Sequence, residues 1–147
     1  IKGGVDHLLL DRETGALVCA FDEVGDISGE QYEKKKEKIF ARNTKDQGVT
    51  LKYGVSLEGE PGAKKVRLGS VDHIPLFYLA LPKSQIEKGL TEFNPSGEQS
   101  DFENKLFEYF VATIEAQVKG LELFGTKLDK TMRERLQSFH TLLEAMK

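Results

Sequence analysis

Two strongly apolar runs near the N-terminus predict a pair of neighbouring β-strands. The runs extend from Val5 to Leu10 and from Ala16 to Phe21, and both have the length and composition of strands. Between them, the segment from Asp11 to Gly15 is rich in turn-forming residues, and Gly15 supplies a residue that tolerates a positive φ. The pattern therefore predicts a β-hairpin.

A charged helix and further strands are predicted next. Ser28 to Gln31 has the spacing of a capping box, which predicts a helix over Tyr32 to Ala41 with a thin apolar edge. Apolar residues then alternate from Val49 to Leu57, as is typical of a half-buried strand. Two more strands are expected, a short edge strand over Lys64 to Leu68 and an interior strand over the apolar run Ile74 to Leu81.

The last third of the chain predicts a helical hairpin. Pro82 to Gly97 is polar and turn-rich, which predicts a connector. A capping box over Ser100 to Glu103 begins one helix, and Thr126 is predicted to cap the next. The stripe of this last helix steps by fours and threes through Leu128, Met132, Leu136, Phe139, Leu143 and Met146. We expect it to pack within the domain; self-association or partner binding through these helices is the alternative.

Together these elements predict an α/β or α+β fold, with a mixed four- to five-stranded sheet, a charged helix and the C-terminal hairpin. At 147 residues the chain suits one domain, in which residues 1–97 form the core and residues 98–147 the hairpin on or beside it. The chain begins at Ile1 rather than Met. We therefore expect it to be a piece of a longer protein, whose preceding segment could complete a site.

Composition narrows the function classes. A net charge of −3 gives no bulk attraction to nucleic acid, so any such contact needs a local patch. The one cysteine, Cys19, excludes an internal disulfide and a cysteine metal cluster, and it favours a reducing, cytoplasmic location. No apolar stretch approaches the ~20 residues that a membrane-spanning helix needs.

The candidate chemistry lies in the acidic residues of the hairpin. Asp6 opens the first apolar run, and Asp22 and Glu23 follow near the end of the second. Adjacent strands would bring these carboxylates to one edge of the sheet, where hard Mg²⁺ finds the oxygen ligands it prefers. The alternative is structural: Asp6 accepts backbone hydrogen bonds, while Asp22, Glu23 and Asp26 form an acidic strand end facing the next helix N-terminus.

The same residues resemble a known superfamily. The order of elements, strand–turn–strand–helix–strand with acids at these positions, resembles that of the PD-(D/E)XK or restriction-endonuclease-like proteins. The resemblance is strongest to the branch related to very-short-patch-repair endonucleases. The resemblance covers about the first 57 residues. The matching segments are Val5-Asp6-His7, Phe21 to Gly25, Tyr32-Glu33-x-x-Lys36 and Gly48 to Leu51.

The resemblance implies a Mg²⁺-dependent nuclease that cleaves DNA phosphodiesters. Asp6 and Asp22 would be metal ligands and Glu23 a third. In that family a lysine two residues beyond the second acid positions or activates the attacking water, but here that position is Val24.

The implied lysine must therefore come from elsewhere in the chain. Lys34, Lys35 and Lys36 on the charged helix and Lys52 on the following strand are the candidates, and the predicted site takes Lys36. The alternative is a catalytically inactive relative that serves as an interaction or assembly module, in which the lysines form a solvated helix face.

Overall fold

The computed structural model describes residues 5–60, 62–63, 65–92 and 96–146. The description leaves out the side chains of residues 26, 53–58 and 66. In chain order the elements are β1 (His7–Leu10), β2 (Leu17–Asp26), α1 (Glu30–Thr44), β3 (Val49–Glu58), β4 (Lys65–Ile74), β5 (Leu76–Leu81), α2 (Lys83–Glu92), α3 (Asp101–Glu122), a 3₁₀ turn (Gly125–Lys127) and α4 (Lys130–Ala145).

The five strands form two sheets. A mixed sheet has the order β1-β2-β5, in which β1 and β2 are antiparallel and β2 and β5 are parallel. Strands β3 and β4 form a separate antiparallel pair. The mixed α/β class is confirmed, but the prediction of one four- to five-stranded sheet is wrong. Pro75 separates β4 from β5, and its carbonyl oxygen accepts the Ala20 N–H at 2.8 Å.

Side-chain amides occupy the outer edge of β5. Asn43 of α1 donates to the Leu76 carbonyl oxygen at 2.7 Å and accepts the Leu76 N–H at 2.9 Å. Gln117 of α3 makes the same two contacts with the backbone of Tyr78, both at 3.0 Å. These amides satisfy groups that a neighbouring strand would otherwise pair. β5 is therefore an edge strand of the described sheet, rather than the predicted interior strand.

Helices cover both faces of the three-stranded sheet. On one face, Ala20 and Leu76 pack with Ile39 of α1 and with Val49 and Ile74 of the β3–β4 pair. On the other face, the sheet packs against α3 and α4 through a larger cluster that includes Cys19, Phe77, Val118, Leu136 and Phe139. Burial on both faces makes β5 apolar throughout, which explains why the sequence alone indicated an interior strand.

The turn of the first hairpin forms as predicted. The Asp11 carboxylate accepts the backbone N–H groups of Glu13 and Thr14 at 3.0 and 2.6 Å. The Gly15 N–H donates to the Asp11 carbonyl oxygen at 2.8 Å, and Gly15 has a φ of 68°. The hairpin is therefore fixed by an Asx-type turn and a residue in the left-handed region.

Three predictions about helices need correction. α1 begins at Glu30, inside the predicted capping box and two residues before the predicted Tyr32, with Gly29 as N-cap and no side-chain capping bond. Residues 83–92, predicted as part of a connector, form α2, which has no buried residue. α4 is capped by Asp129, whose carboxylate accepts the Met132 N–H at 2.7 Å, rather than by Thr126.

The C-terminal hairpin packs within the fold. The capping box of Ser100 and Glu103 is confirmed at the start of α3. Five of the six predicted stripe positions, Leu128, Met132, Leu136, Phe139 and Leu143, are buried in the larger core cluster, whereas Met146 is exposed. The apolar face of α4 is thus occupied by the domain itself. Among the described residues, no helix is both long enough and apolar enough to cross a membrane.

Candidate active site

The register of the first hairpin brings Asp6 and Asp22 together. His7 pairs with Phe21 across the antiparallel strands, and continuing that register by one residue places Asp6 opposite Asp22. The Asp6 N–H donates to the Phe21 carbonyl oxygen at 2.8 Å, and the two carboxyl groups lie close enough for each to shift the pKa of the other. The predicted pairing of these two acids is therefore present in the structure.

Glu23 contributes its backbone to this cluster, while its side chain lies elsewhere. Its N–H donates to Asp6 Oδ2 at 2.8 Å, and its carbonyl oxygen accepts a hydrogen bond from Lys35 Nζ at 2.6 Å. The Glu23 carboxylate instead contacts His7 Nε2 at 2.6 Å, where both side chains are exposed. Consecutive residues of a strand point to opposite faces, which explains the separation from the Asp22 carboxylate.

The lysine at the cluster is Lys35. Its Nζ lies 2.6 Å from Asp22 Oδ1, and Asp22 is 5% exposed. Lys36 instead pairs with Glu33 at 2.7 Å and lies over the ring of Tyr32. A signal for Lys35 was present in the sequence. It lies four residues before Ile39 and eight before Asn43, the two buried residues of α1, so the three share one helix face.

The other candidate lysines lie away from the two acids. Lys34 pairs with Glu30 one turn away, at 2.5 Å, and Lys52 is exposed on β3 in the second sheet. Val24 is half-buried on β2, two residues beyond Asp22 and so on the same face of the strand. Lys35 therefore reaches from α1 towards the site that a lysine at position 24 would have served.

The protein environment shifts the pKa values of the two acids in opposite directions. The pKa of Asp6 is lowered, mainly by the hydrogen bond from the Glu23 N–H and further by the one with Asp22. The pKa of Asp22 is raised, mainly because burial disfavours the charged carboxylate; the Lys35 ammonium acts in the opposite direction and Asp6 in the same one. The pKa of Asp22 is therefore the higher of the two.

Replacing Lys35 with methionine is expected to raise the pKa of Asp22 further, because the hydrogen bond and the positive charge that lower it are removed. Carboxyl-carbon NMR titration measures this pKa directly. Lys38→Met is the control, because Lys38 is an exposed lysine of the same helix. An unchanged Asp22 pKa in Lys35→Met would contradict the contact.

A groove lies beside β5, between α1 and α3. It encloses about 720 Å³ and is lined mainly by apolar groups, including Ile39, Phe40, Phe77 and Tyr109. Asn43 and Gln117, the residues that cover the β5 edge, lie in its wall. The groove offers an apolar surface that the sequence pattern did not indicate.

Comparison of the chain with known proteins identified no relative. No family model matches the sequence, and no curated protein or solved structure is significantly similar to it.

Proposed function

We propose that this domain is a metal-dependent nuclease-like domain acting on DNA phosphodiesters, with Asp6 and Asp22 holding Mg²⁺. The observation that supports the proposal most is the set of oxygens around Lys35 Nζ. The ammonium lies 2.6 Å from both the Asp22 carboxylate and the Glu23 carbonyl oxygen, and the Asp6 carboxyl group is close enough to Asp22 to raise its pKa. This arrangement already accommodates one cation.

The oxygen set has the chemistry that Mg²⁺ prefers. Two carboxylates and a backbone carbonyl are hard ligands, and waters complete the coordination of Mg²⁺ in proteins. Asp6 and Asp22 would be side-chain ligands, and Glu23 would contribute its carbonyl oxygen, because its carboxylate contacts His7. When bound, the ion would polarise a phosphate and lower the pKa of a coordinated water.

Lys35 takes the role that the family pattern gives to the lysine two residues beyond the second acid. Its ammonium can orient a water molecule and neutralise charge that develops on a phosphate. Because Lys35 is about one-third exposed, its side chain can leave the acids when a cation replaces it there. Strand β2, which carries Asp22, and helix α1, which carries Lys35, form the two sides of the site. DNA as the substrate comes from the resemblance, and the buried thiol of Cys19 is compatible with the proposed cytoplasmic location.

Mg²⁺ binding measured by calorimetry tests the proposal. We expect the unaltered chain to bind Mg²⁺ or Mn²⁺ and Asp22→Asn to lose this binding, because the substitution removes a charged ligand. Asp46→Asn is the matched control, since Asp46 is exposed and lies beyond the end of α1. Circular dichroism establishes that all three proteins are folded.

The pH dependence of the same binding provides a second readout. Metal ligands must be deprotonated, and the Asp22 pKa is raised. Affinity should therefore fall as the pH falls through that pKa, and binding in this range should release protons. Equal affinity in Asp22→Asn, or no binding at millimolar Mg²⁺ and Mn²⁺, would overturn the proposed ion site.

An interaction module without catalytic activity is the second candidate. Lys35 balances the acids without any ion, and the groove between α1 and α3 offers apolar surface to a partner. The apolar face of α4 is buried in the core, so assembly would have to use a different surface of the domain. A folded chain that binds no divalent ion and cleaves no DNA is the result that favours this function.

A further inference from the structure

A second group of metal-ligating side chains lies between α3 and α4. Glu115 of α3 and His140 and Glu144 of α4 each offer one ligand atom, and these three atoms lie within 4.8 Å of one another. Among the described residues, it is the one group of three or more such side chains whose ligand atoms lie this close together. It shares no residue with the acids of the first hairpin.

The geometry of His140 favours coordination through Nε2. Its Nδ1 lies 2.7 Å from Glu122 Oε1, and a proton on Nδ1 donated to this carboxylate leaves the lone pair on Nε2. Carboxylates commonly orient metal-binding histidines in this way. The Nε2 atom lies 3.5 Å from Glu144 Oε1, one turn further along α4.

The spacing suits a small ion with nitrogen and oxygen ligands. In a tetrahedral site with bonds of about 2.0 to 2.1 Å, neighbouring ligand atoms are about 3.3 Å apart. The 3.5 Å separation of His140 and Glu144 is close to this value, and Glu115 needs only a modest side-chain movement. Both Glu115 and His140 are largely shielded from solvent, which reduces competition from water.

We propose that Glu115, His140 and Glu144 bind a transition-metal dication of the Zn²⁺ type, with Glu122 as the positioning residue for His140. Imidazole with carboxylates suits Zn²⁺ better than Mg²⁺, which prefers oxygen ligands alone. One open coordination position would remain for water. Because its ligands come from both helices of the C-terminal hairpin, the ion would join α3 to α4.

Lys119 is the charged competitor at this site. Its ammonium pairs with Glu115 one turn away on α3, so the ion must displace it. The Lys119 side chain is mostly exposed, so water can solvate its ammonium once the ion displaces it. Lys119→Met should therefore tighten Zn²⁺ binding, in the opposite direction to substitutions of the ligands.

Zn²⁺ calorimetry and Co²⁺ absorption spectroscopy test the site on the full chain. We expect one equivalent of Zn²⁺ to bind and to raise the melting temperature, because the ion binds the folded state. His140→Asn and Glu144→Gln should lower the affinity at least about 100-fold, and Glu122→Gln about 10- to 100-fold. Glu144 is half-exposed, so its substitution tests the site without disturbing the core.

His73→Asn is the matched control. His73 Nδ1 also lies close to a carboxylate, 2.7 Å from Asp129 Oδ2, and its φ of 57° is one that asparagine tolerates. This variant should bind Zn²⁺ like the unaltered chain. So should Asp22→Asn, which separates this site from the proposed Mg²⁺ site.

Either of two results would overturn the inference. Unchanged Zn²⁺ affinity in both His140→Asn and Glu144→Gln would place the ion elsewhere. No binding at millimolar Zn²⁺ would show that His140 is only the centre of an ion-pair cluster with Glu122 and Glu144.

Discussion

Lys35→Met is expected to lower Mg²⁺-dependent DNA cleavage by about two to three orders of magnitude, the usual loss when one group that stabilises developing charge is removed. The reason is positional: Lys35 Nζ lies 2.6 Å from Asp22 Oδ1, the acid proposed to hold the ion. Methionine keeps much of the aliphatic stem, so the packing of α1 against the sheet should survive. The measurement is the single-turnover cleavage rate at saturating Mg²⁺.

Two further substitutions on α1 make this result specific. Lys36→Met tests the lysine that the sequence analysis favoured, and the structure places that side chain on Glu33 and Tyr32. Lys38→Met is the control for loss of a positive charge from an exposed position on the helix. Similar losses in Lys35→Met and Lys38→Met would indicate a general electrostatic effect, and a large loss confined to Lys36→Met would contradict the assignment of Lys35.

Asn43→Ala is expected to destabilise the fold by about 2 to 4 kcal/mol, because two buried backbone groups of β5 lose their partner. Asn43 is 2% exposed, and its amide makes both an accepting and a donating hydrogen bond with Leu76. Leaving such groups unpaired costs more than the net value of the hydrogen bonds. Urea denaturation monitored by circular dichroism measures the free energy of unfolding.

Asn104→Ala is the control for Asn43→Ala. Asn104 is exposed on α3, so both variants gain the same helix propensity from alanine but differ in burial. Comparable stabilities of the two variants would show that water or a shifted side chain replaces the Asn43 contacts. In that case the separation of β5 from the β3–β4 pair would need another explanation.

Local patterns predicted much of the fold. The turn from Asp11 to Gly15 and the capping box at Ser100 depend on residues close in the sequence, and both form as expected. The apolar stripe of α4 is long and regular, so its burial could also be anticipated. In the turn and the capping box, neighbouring residues determine the structure, whereas the regular α4 stripe indicates which face distant residues such as Phe77 will cover.

Long-range contacts account for most of what the sequence did not reveal. The outer edge of β5, where the three-stranded sheet ends, is paired with Asn43 and Gln117 from distances of 33 and 39 residues along the chain. α2 carries few apolar residues in a polar segment, and its Ile86 and Leu90 are both exposed, so the sequence carried only a weak signal for it. Periodicity describes one element at a time and carries little information about what meets its edges.

The candidate site likewise combines a feature that the sequence indicated with one that depends on long-range contacts. The facing of Asp6 and Asp22 follows from the hairpin register, which the sequence indicated. Neighbouring side chains of a helix point about 100° apart around its axis. Whether Lys35 or Lys36 faces the two acids therefore depends on how α1 is rotated about its axis. Ile39 and the buried Asn43 fix that rotation, but Asn43 was not expected to be buried, so the helix face was assigned one residue away.

The most direct test is the cleavage of single- and double-stranded DNA by the unaltered chain, with Mg²⁺ or Mn²⁺ and with a chelator. The proposed function predicts cleavage that requires the metal and disappears in Asp22→Asn, while Asp46→Asn cleaves normally. Absence of cleavage by folded, metal-loaded protein, or cleavage that persists equally in Asp22→Asn, would contradict it.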